Sequence, residues 1–335
     1  MPSVQPAMWG VLLLAGCAGL TALLILVLRP ILVRHLLAQP NARSSHSVPT
    51  PQGAGLAVMA VVFAGCAIGL YFAPAKPSLL GVLVAAAGLT LLGAIDDAYT
   101  LPVWSRLKGQ ALAALVLVGT LPQELRLFPG LMPAGVEDVL LLLGIMWFVN
   151  AVNFLDGLDW MTVAQLVPMT LGVVILHVLG AVPATVSLLA LTLLGATIGF
   201  AVFNKHPASI FLGDAGSLPI GLLLAFMLIF VAETNLAAAL LLALYTLADS
   251  TLTLFRRLVA GERVFAAHRT HFYQRAVTAG LRVPQVTARV FGLCLVLAGL
   301  AVAAVLANST AADLALLAIG GAATAVTLHA LGKGR

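Results

Sequence analysis

Charged residues are scarce in this chain of 335 residues: Asp, Glu, Lys and Arg together make up 9%, whereas 61% is hydrophobic. A soluble globular domain carries roughly 25% charged residues, so the composition excludes that class. With a mean hydropathy of +1.10, the chain is expected to be an integral membrane protein. It also lacks a Pro-, Ser- or Gly-rich linker and an internal repeat, so residues 1–335 are predicted to form one membrane domain.

Several familiar site motifs are absent too. The three cysteines lie inside apolar runs without CxxC spacing, so neither a disulfide nor a thiolate metal site is expected. There is no GxxxxGK[ST] motif, which disfavours an ATP-driven pump. The loop "RSSHSVPTPQGAG" fails the GxGxxG fingerprint, because Val58 stands where the third glycine belongs. A nucleic-acid partner is not expected either, since the net charge of +5 comes from basic residues that border apolar runs.

Long apolar runs are what the sequence does contain. A membrane-spanning helix needs about 20 mostly apolar residues, and the first run is expected to be such a span rather than a cleaved leader. On this basis the sequence predicts an all-α polytopic membrane protein with about 11 transmembrane helices. The predicted spans lie near 8–28, 54–73, 79–95, 110–121, 139–155, 160–180, 184–203, 218–232, 236–255, 288–307 and 311–331.

The basic residues are distributed unevenly between the loops. Of the 17 lysines and arginines, all but Lys76 and Arg126 fall in or beside one alternating set of loops and the C-terminal tail. These loops are 29–53, 96–109, 156–159, 204–217 and 256–287. Because cytoplasmic loops carry an excess of Lys and Arg, this set is predicted to be cytoplasmic, with the N-terminus outside. The expected location is a cell membrane with these loops on its cytoplasmic face.

Acidic side chains occupy unfavourable positions at the ends of the predicted spans. Asp96 and Asp97 follow the third span and Asp156 follows the fifth, where the helix dipole disfavours an acid by about 0.3–1 kcal/mol. An Asp toward the bilayer centre costs more, about 2.5–3.5 kcal/mol. These acids need a cation, either from basic side chains or from a bound metal. Asp214, before the eighth span, has a competing structural explanation as the helix N-cap, with Ser217 as a rival cap.

Polar residues three apart follow the fifth span in "VNAVNFLDGLDW". They are Asn150, Asn153, Asp156 and Asp159, and Gly157 lets the chain turn just beyond the span. Asn is costly in lipid without partners, so both asparagines are expected to face a polar cavity. The bland alternative is a capped helix end with a solvated turn.

A basic segment, "RRLVAGERVFAAHRTHFYQR", follows the ninth span. Its arginines could simply anchor the chain at the membrane surface. However, His268, Arg269, His271 and Arg275 have helical spacing, which predicts one helix face rich in phosphate-binding donors. The HxxH pattern alone is a weak metal signal.

Together these acids, amides and cations predict a site for phosphate chemistry at the cytoplasmic membrane surface. Mg²⁺, or Mn²⁺ as an alternative, suits the oxygen ligands and bridges substrate phosphates. Arg and His side chains suit the remaining phosphates. The expected reaction is phosphoryl transfer between a cytoplasmic substrate and a lipid.

The motifs "GAIDDAY", "NFLDGLD", "FNKHPASIFLGDAGSL" and "HRTHFYQR", with "SSHSVPTPQGAG" before them, resemble a known family. It is the polyprenyl-phosphate N-acetylhexosamine-1-phosphate transferases, and the match spans about residues 43–275 in the correct order. The resemblance implies transfer of a sugar phosphate from a UDP-N-acetylhexosamine to undecaprenyl phosphate, with release of UMP. The lipid-linked product would initiate a cell-surface glycan, and the implied location of the enzyme is the bacterial inner membrane. The oligomeric state is open, with a homodimer as one alternative.

The resemblance also implies roles for individual residues. Asp214 would hold Mg²⁺, with Asn153 as a second ligand, and the lipid phosphate would face Asp96 and Asp97. The implied catalytic residues are Asp96, Asp97, Asp156, His268 and His271, and the implied substrate-binding residues are His46, Lys108, Asn150, Asp159, Asn204, Phe211, Arg269 and Arg275.

The sequence departs from the family pattern in two places. Trp160 replaces the last glycine of DGxDG, and the histidine motif lacks the consecutive histidines of the muramoyl-pentapeptide translocases. The second departure favours an enzyme of O-antigen, capsule or related glycans, with peptidoglycan lipid I synthesis as the alternative. Two other classes stay open: a transporter that uses intramembrane carboxylates and a catalytically inactive scaffold.

Overall fold

The computed structural model describes residues 4–38, 49–72, 76–263 and 268–334. This part of the chain is almost entirely helical, with one two-stranded antiparallel ribbon, β1 (Leu37–Ala38) and β2 (Thr50–Pro51). The helices are α1 (Val4–His35), α2 (Gly55–Phe72), α3 (Pro77–Tyr99), α4 (Val103–Thr120), α5 (Ala134–Phe154), α6 (Met161–Val178), α7 (Ala184–Asn204), α8 (Asp214–Thr234), α9 (Leu236–Val259), α10 (Phe272–Thr278), α11 (Val283–Ala307) and α12 (Thr310–Gly332).

The predicted all-α polytopic membrane fold is confirmed. Nine helices in the described residues are long and apolar enough to cross a membrane, and α2 is a shorter apolar helix. The remaining predicted span, 110–121, lies in α4, whose first half carries Arg106 and Lys108. Each of the eleven predicted spans therefore coincides with a helix, but nine of these helices meet the length and composition expected of a span.

The polar loop predicted at 96–109 is much shorter in the structure. The helix α3 continues to Tyr99, so Asp96 and Asp97 lie in its last turns rather than in a loop. After three residues α4 begins at Val103, which makes most of the predicted loop 96–109 helical. Hydropathy locates only the apolar part of a helix, whereas the backbone continues to form helical hydrogen bonds beyond it.

The helix α8 lies at the centre of the bundle, and glycines bring its neighbours against its first turns. A Cβ atom added to Gly93 of α3 would lie 2.2 Å from the carbonyl oxygen of Asp214. A Cβ atom on Gly55 of α2 would lie 2.2 Å from the backbone nitrogen of Gly216. Such close backbone approach requires glycine, because any side chain would separate the helices. The contacts fix the start of α8 relative to the end of α3.

Candidate active site

The polar segments expected to share one pocket meet at one end of the bundle. Gln52, before α2, donates a hydrogen bond from Nε2 to the carbonyl oxygen of Asp97, 3.2 Å away. The hydroxyl of Tyr273 in α10 donates to the carbonyl oxygen of Phe154 at the end of α5, at 2.8 Å. Residues from four separate polar segments are therefore held together.

Asp97 caps the N-terminus of α8 from a neighbouring helix. Its Oδ1 accepts a hydrogen bond from the backbone N–H of Asp214 at 2.9 Å, and its Oδ2 accepts from Ala215 at 3.1 Å. The positive end of the α8 dipole thus stabilises this carboxylate. The expectation that Asp214 or Ser217 caps α8 is wrong, because Asp214 is the first helical residue and Gly213 precedes it.

Gly213 makes this capping geometry attainable. Its φ of +77° lies in the left-handed region. A Cβ atom at this position would also lie 2.5 Å from Oδ2 of Asp97. Both features require a residue without a side chain immediately before Asp214.

Arg106 is a cation beside the acidic cluster, which consists of Asp96, Asp97, Asp156 and Asp214. Its Nη1 atom lies 3.2 Å from Oδ2 of Asp96 and 3.6 Å from Oδ2 of Asp214. The other oxygen of Asp96 accepts the backbone N–H of Leu101, just beyond the α3 helix. The sequence analysis expected the compensating cation to be either a basic side chain or a bound metal. The structure shows a basic side chain. One arginine leaves the cluster of Asp96, Asp97, Asp156 and Asp214 with excess negative charge.

The surroundings of Asp214 fit a magnesium ion. Oδ1 of Asp214 accepts from Nδ2 of Asn153 at 2.8 Å, and the same amide nitrogen donates to Ser217. Within the described ranges no group of three or more His, Cys, Asp or Glu residues could hold a metal. Mg²⁺ commonly uses only one or two carboxylates, with water and substrate phosphates as further ligands. Rotation of the Asn153 amide would present its oxygen as another hard donor.

Asp156 and Asp159 lie in the turn after α5 and have different partners. The Thr162 hydroxyl donates to Oδ1 of Asp156. The pKa of the Asp156 carboxyl is raised to about 7, mainly by burial. The hydrogen bond from Thr162 lowers this pKa, and the charge of Asp97 raises it. Oδ2 of Asp159 contacts Nδ1 of His206 at 2.6 Å. Asp159 therefore joins this turn to the segment between α7 and α8.

Asn204 is the last residue of α7, and Phe211 lies in the segment that follows it. Oδ1 of Asn204 accepts from the backbone of Trp160 at 2.7 Å, and Nδ2 donates to the carbonyl oxygen of Ile210 at 3.0 Å. Asn204 is only 5% exposed and joins two turns through these bonds, while its contact with substrate stays a prediction. Phe211 is partly exposed, and its backbone N–H donates to the Pro51 carbonyl oxygen.

The predicted basic helix face is wrong in its geometry. Within the described residues, α10 begins at Phe272, so His268 and Arg269 precede it and His271 is its N-cap. The two histidine rings nevertheless stack, with centroids 5.0 Å apart. The pKa of His268 is lowered to about 4, mainly by burial and additionally by the nearby His271 and Arg257. Arg275, by contrast, is exposed.

A cleft of about 660 Å³ connects the two histidines with Arg106 and Asn153. Its remaining lining is contributed mainly by apolar residues of α4, α5 and α9. Asn150 also faces it, but its amide is paired with Gln110 through bonds of 2.6 and 3.3 Å. The polar cavity predicted for the asparagines is therefore a mixed cleft with one polar end and one apolar wall.

Lys108 is a predicted site residue that is not paired with this cluster. Lys108 is exposed on α4, and among the described residues it forms no ion pair with the four acids. His46 lies outside the described residues.

Some residues that build the site carried little signal in the sequence. The site assignment from sequence left out Gln52, Thr162 and Gln110, which are common polar residues with distant partners. Asp249, an acid within the ninth predicted span, is also absent from that assignment. Its spacing of four residues from both Tyr245 and Thr253 was the available clue to a hydrogen-bonded carboxylate.

Known proteins resemble this chain over most of its length. A probable undecaprenyl-phosphate N-acetylglucosaminyl 1-phosphate transferase of Bacillus subtilis is 27% identical over 275 residues, covering 77% of this chain and 76% of the relative. A decaprenyl-phosphate N-acetylglucosaminephosphotransferase of Mycobacterium tuberculosis is 32% identical over 316 residues, covering 78% and 75%. A phospho-N-acetylmuramoyl-pentapeptide-transferase of Lactiplantibacillus plantarum is 28% identical over 239 residues, covering 64% and 72%.

The family profile described as glycosyl transferase family 4 matches residues 79–232. This range runs from α3 to α8 and includes Asp96, Asp97, Asn153, Asp156 and Asp214. The matched range and the mycobacterial relative together identify the chain as a member of glycosyl transferase family 4.

Proposed function

We propose that this membrane protein transfers N-acetylhexosamine-1-phosphate from a UDP-sugar to undecaprenyl phosphate, giving a polyprenyl-diphosphate sugar and UMP. The observation that carries the proposal is an acidic cluster beside a cleft with an apolar wall. Arg106 lines the polar end of this cleft and pairs with Asp96 and Asp214. Such a site suits a reaction between a charged nucleotide sugar and a lipid phosphate. The names of the relatives agree, and those from Bacillus and Mycobacterium make N-acetylglucosamine the first sugar to test.

The site is proposed to face the cytoplasm. The support is the positive-inside distribution of Lys and Arg, since the basic loops are at the same end of the bundle as the acids. In this orientation the N-terminus is outside and the C-terminus is cytoplasmic. UDP-sugars would then reach the site from the compartment in which nucleotides are made.

The apolar wall of the cleft is proposed to hold the first isoprene units of the lipid. Leu107, Leu254, Phe255 and Leu258 line this wall, and Arg106 lies at its polar end. A lipid along the wall would present its phosphate to Arg106. Contact with this apolar wall would stabilise the polyprenyl chain. The charged phosphate would be stabilised only at the polar end of the cleft.

A tryptophan at Leu254 tests this assignment. The larger side chain should fill the cleft and raise the KM for undecaprenyl phosphate about tenfold, equivalent to about 1.4 kcal/mol. The KM for the UDP-sugar should stay within about twofold. Leu252→Trp is the matched control, because Leu252 is on the same helix but is exposed away from the cleft. Equal lipid KM values for the two variants would contradict the assignment.

The UDP-sugar is proposed to bind on the other side of the acidic cluster. Asp156 and Asp159, with Phe211 as a stacking surface, would bind the uridine and its nearest phosphate. Support comes from the joining of their segments through His206 and Asn204. Arg269 and His268 would contact the diphosphate. Because Arg275 is exposed, we propose that it contacts the outer part of the substrate.

Asp214 and Asn153 would hold the magnesium ion, which when bound would neutralise phosphate charge and help the nucleotide leave. The lipid phosphate is already largely ionised at pH 7, since the second pKa of a phosphate monoester is about 6. We therefore assign Asp97 to positioning rather than proton removal. An oxygen of the lipid phosphate attacks the β-phosphorus of the UDP-sugar, the bond to the bridging oxygen breaks, and UMP departs. Arg106 and His271 would stabilise the charge on the phosphates during this step.

The experiment is a UMP-release assay on purified protein in lipid nanodiscs. UMP should appear only when a UDP-sugar, undecaprenyl phosphate and Mg²⁺ are all present, and EDTA should abolish its release until Mg²⁺ is restored. A panel of UDP-N-acetylglucosamine, UDP-N-acetylgalactosamine and UDP-N-acetylmuramoyl-pentapeptide identifies the sugar. Turnover of the pentapeptide substrate alone would favour lipid I synthesis, which the Lactiplantibacillus relative makes the second candidate. Uptake into liposomes without UMP release would favour a transporter.

A further inference from the structure

One fully buried carboxylate lies outside the acidic cluster. Asp249 is inside the spanning helix α9 and is 0% exposed. Two side chains of its own helix donate to it, the hydroxyls of Tyr245 at 3.2 Å and Thr253 at 3.3 Å. A buried acid in a membrane is costly without several such donors, and an acid retained there suggests a function.

The remaining donors come from the segment that carries the histidines. Oδ1 of Asp249 contacts Nδ1 of His271 at 3.1 Å and accepts from the backbone N–H of Phe272 at 3.1 Å. Oδ2 accepts from the backbone N–H of Tyr273 at 3.4 Å. Asp249 thereby fixes both the first turn of α10 and the ring at its N-cap.

The contact with Nδ1 has a chemical consequence for His271. Both oxygens of Asp249 already accept hydroxyl and backbone N–H donors, so we treat the carboxylate as the acceptor and assign the shared proton to Nδ1. Nε2 is then the nitrogen available to a ligand, as a lone pair in the neutral ring or as an N–H in the charged ring. His271 lines the cleft beside His268, which places this nitrogen's ring among the groups that would meet the phosphates.

We propose that Asp249 is a positioning residue for phosphosugar transfer, which orients the His271 ring and fixes its Nδ1–H form so that Nε2 serves the phosphates. This inference rests on the proposed function. It assigns a role in the reaction to a carboxylate buried in the membrane span, which contacts His271 but does not itself line the cleft. A purely structural role, holding α10 to α9, is the competing explanation.

A double-mutant cycle on UMP release separates the two explanations. Asp249→Asn and His271→Asn should each lower kcat about 10- to 100-fold, while the KM for the UDP-sugar changes less than about threefold. If Asp249 acts through His271, the double variant should be no slower than the slower single variant. Multiplied losses would mean that the carboxylate acts independently, which overturns the proposal. Tyr245→Phe is the matched control, since it removes one hydrogen bond from the same carboxylate without touching His271.

A second measurement observes the His271 ring in the wild-type protein. Nitrogen-15 NMR of the wild-type protein in lipid should show Nδ1 of His271 protonated, with the resonance assigned by its loss in His271→Gln. A neutral ring protonated at Nε2 would overturn the proposal. The proposed function is judged separately by the wild-type enzyme. If wild-type protein released no UMP, that function would fail, whereas wild-type turnover with a multiplicative cycle would reject only the role of Asp249.

Discussion

Asp214→Asn is expected to lower the rate of UMP release about 10³-fold, the largest loss predicted for a single substitution here. The change removes one negative charge from the side chain that contacts Asn153 at 2.8 Å and faces Arg106 at 3.6 Å. Asparagine has nearly the same shape, so the packing at the start of α8 should persist. The loss would therefore report the missing charge and the weakened binding of Mg²⁺.

Purified protein in nanodiscs should be assayed over a range of Mg²⁺ concentrations, with thermal unfolding measured in parallel. Asp138→Asn is the matched control, because Asp138 is an exposed acid in the first turns of α5, at the opposite end of the bundle. Its turnover should stay within about twofold of the wild type, as is usual for surface substitutions. Wild-type turnover by Asp214→Asn would reject the assignment of Asp214 to the metal.

Asp97→Asn is expected to lower kcat about 10²-fold through loss of position. The two oxygens of Asp97 accept the backbone N–H groups of Asp214 and Ala215 at the start of α8. An asparagine offers one acceptor, and its amide nitrogen would oppose the second N–H donor. The start of α8 should then shift, and Asp214 would move with it.

The conservative variant Asp97→Glu separates position from charge. Glutamate restores the charge, but its longer side chain cannot occupy the same place, since Gly213 packs directly against this carboxylate. We therefore expect Asp97→Glu to remain at least about tenfold slower than the wild type. Full recovery with glutamate would show that charge alone matters. Undiminished glycan assembly by cells carrying Asp97→Asn would instead support the inactive-scaffold hypothesis.

The helices and the convergence of polar segments could be predicted from the sequence because their signals are local. A run of apolar residues indicates a span wherever it occurs, and alternating spans bring alternate loops to the same side. The acids stood out because Asp96, Asp97 and Asp156 occur where lipid and the helix dipole both disfavour them. Composition and position were therefore sufficient for the fold class and for much of the candidate site.

The partners of the acids could not be predicted, because they depend on contacts between distant segments. Asp97 and the backbone of Asp214 are 117 residues apart, and no local pattern indicates that a carboxylate caps another helix. The prediction of a basic helix face was wrong for a related reason. Spacing alone suggested a helix through His268, but the hydrogen bonds of Asp249 start α10 only at Phe272.

The proposed function depends most directly on the fate of the sugar's phosphate. The measurement is to supply nanodisc-embedded protein with undecaprenyl phosphate, Mg²⁺ and UDP-N-acetylhexosamines labelled with phosphorus-32 at the β-phosphate. The label should enter the lipid extract together with the sugar, in amounts equal to the unlabelled UMP released. A lipid that received the sugar without the label, with labelled UDP released in its place, would contradict phosphosugar transfer.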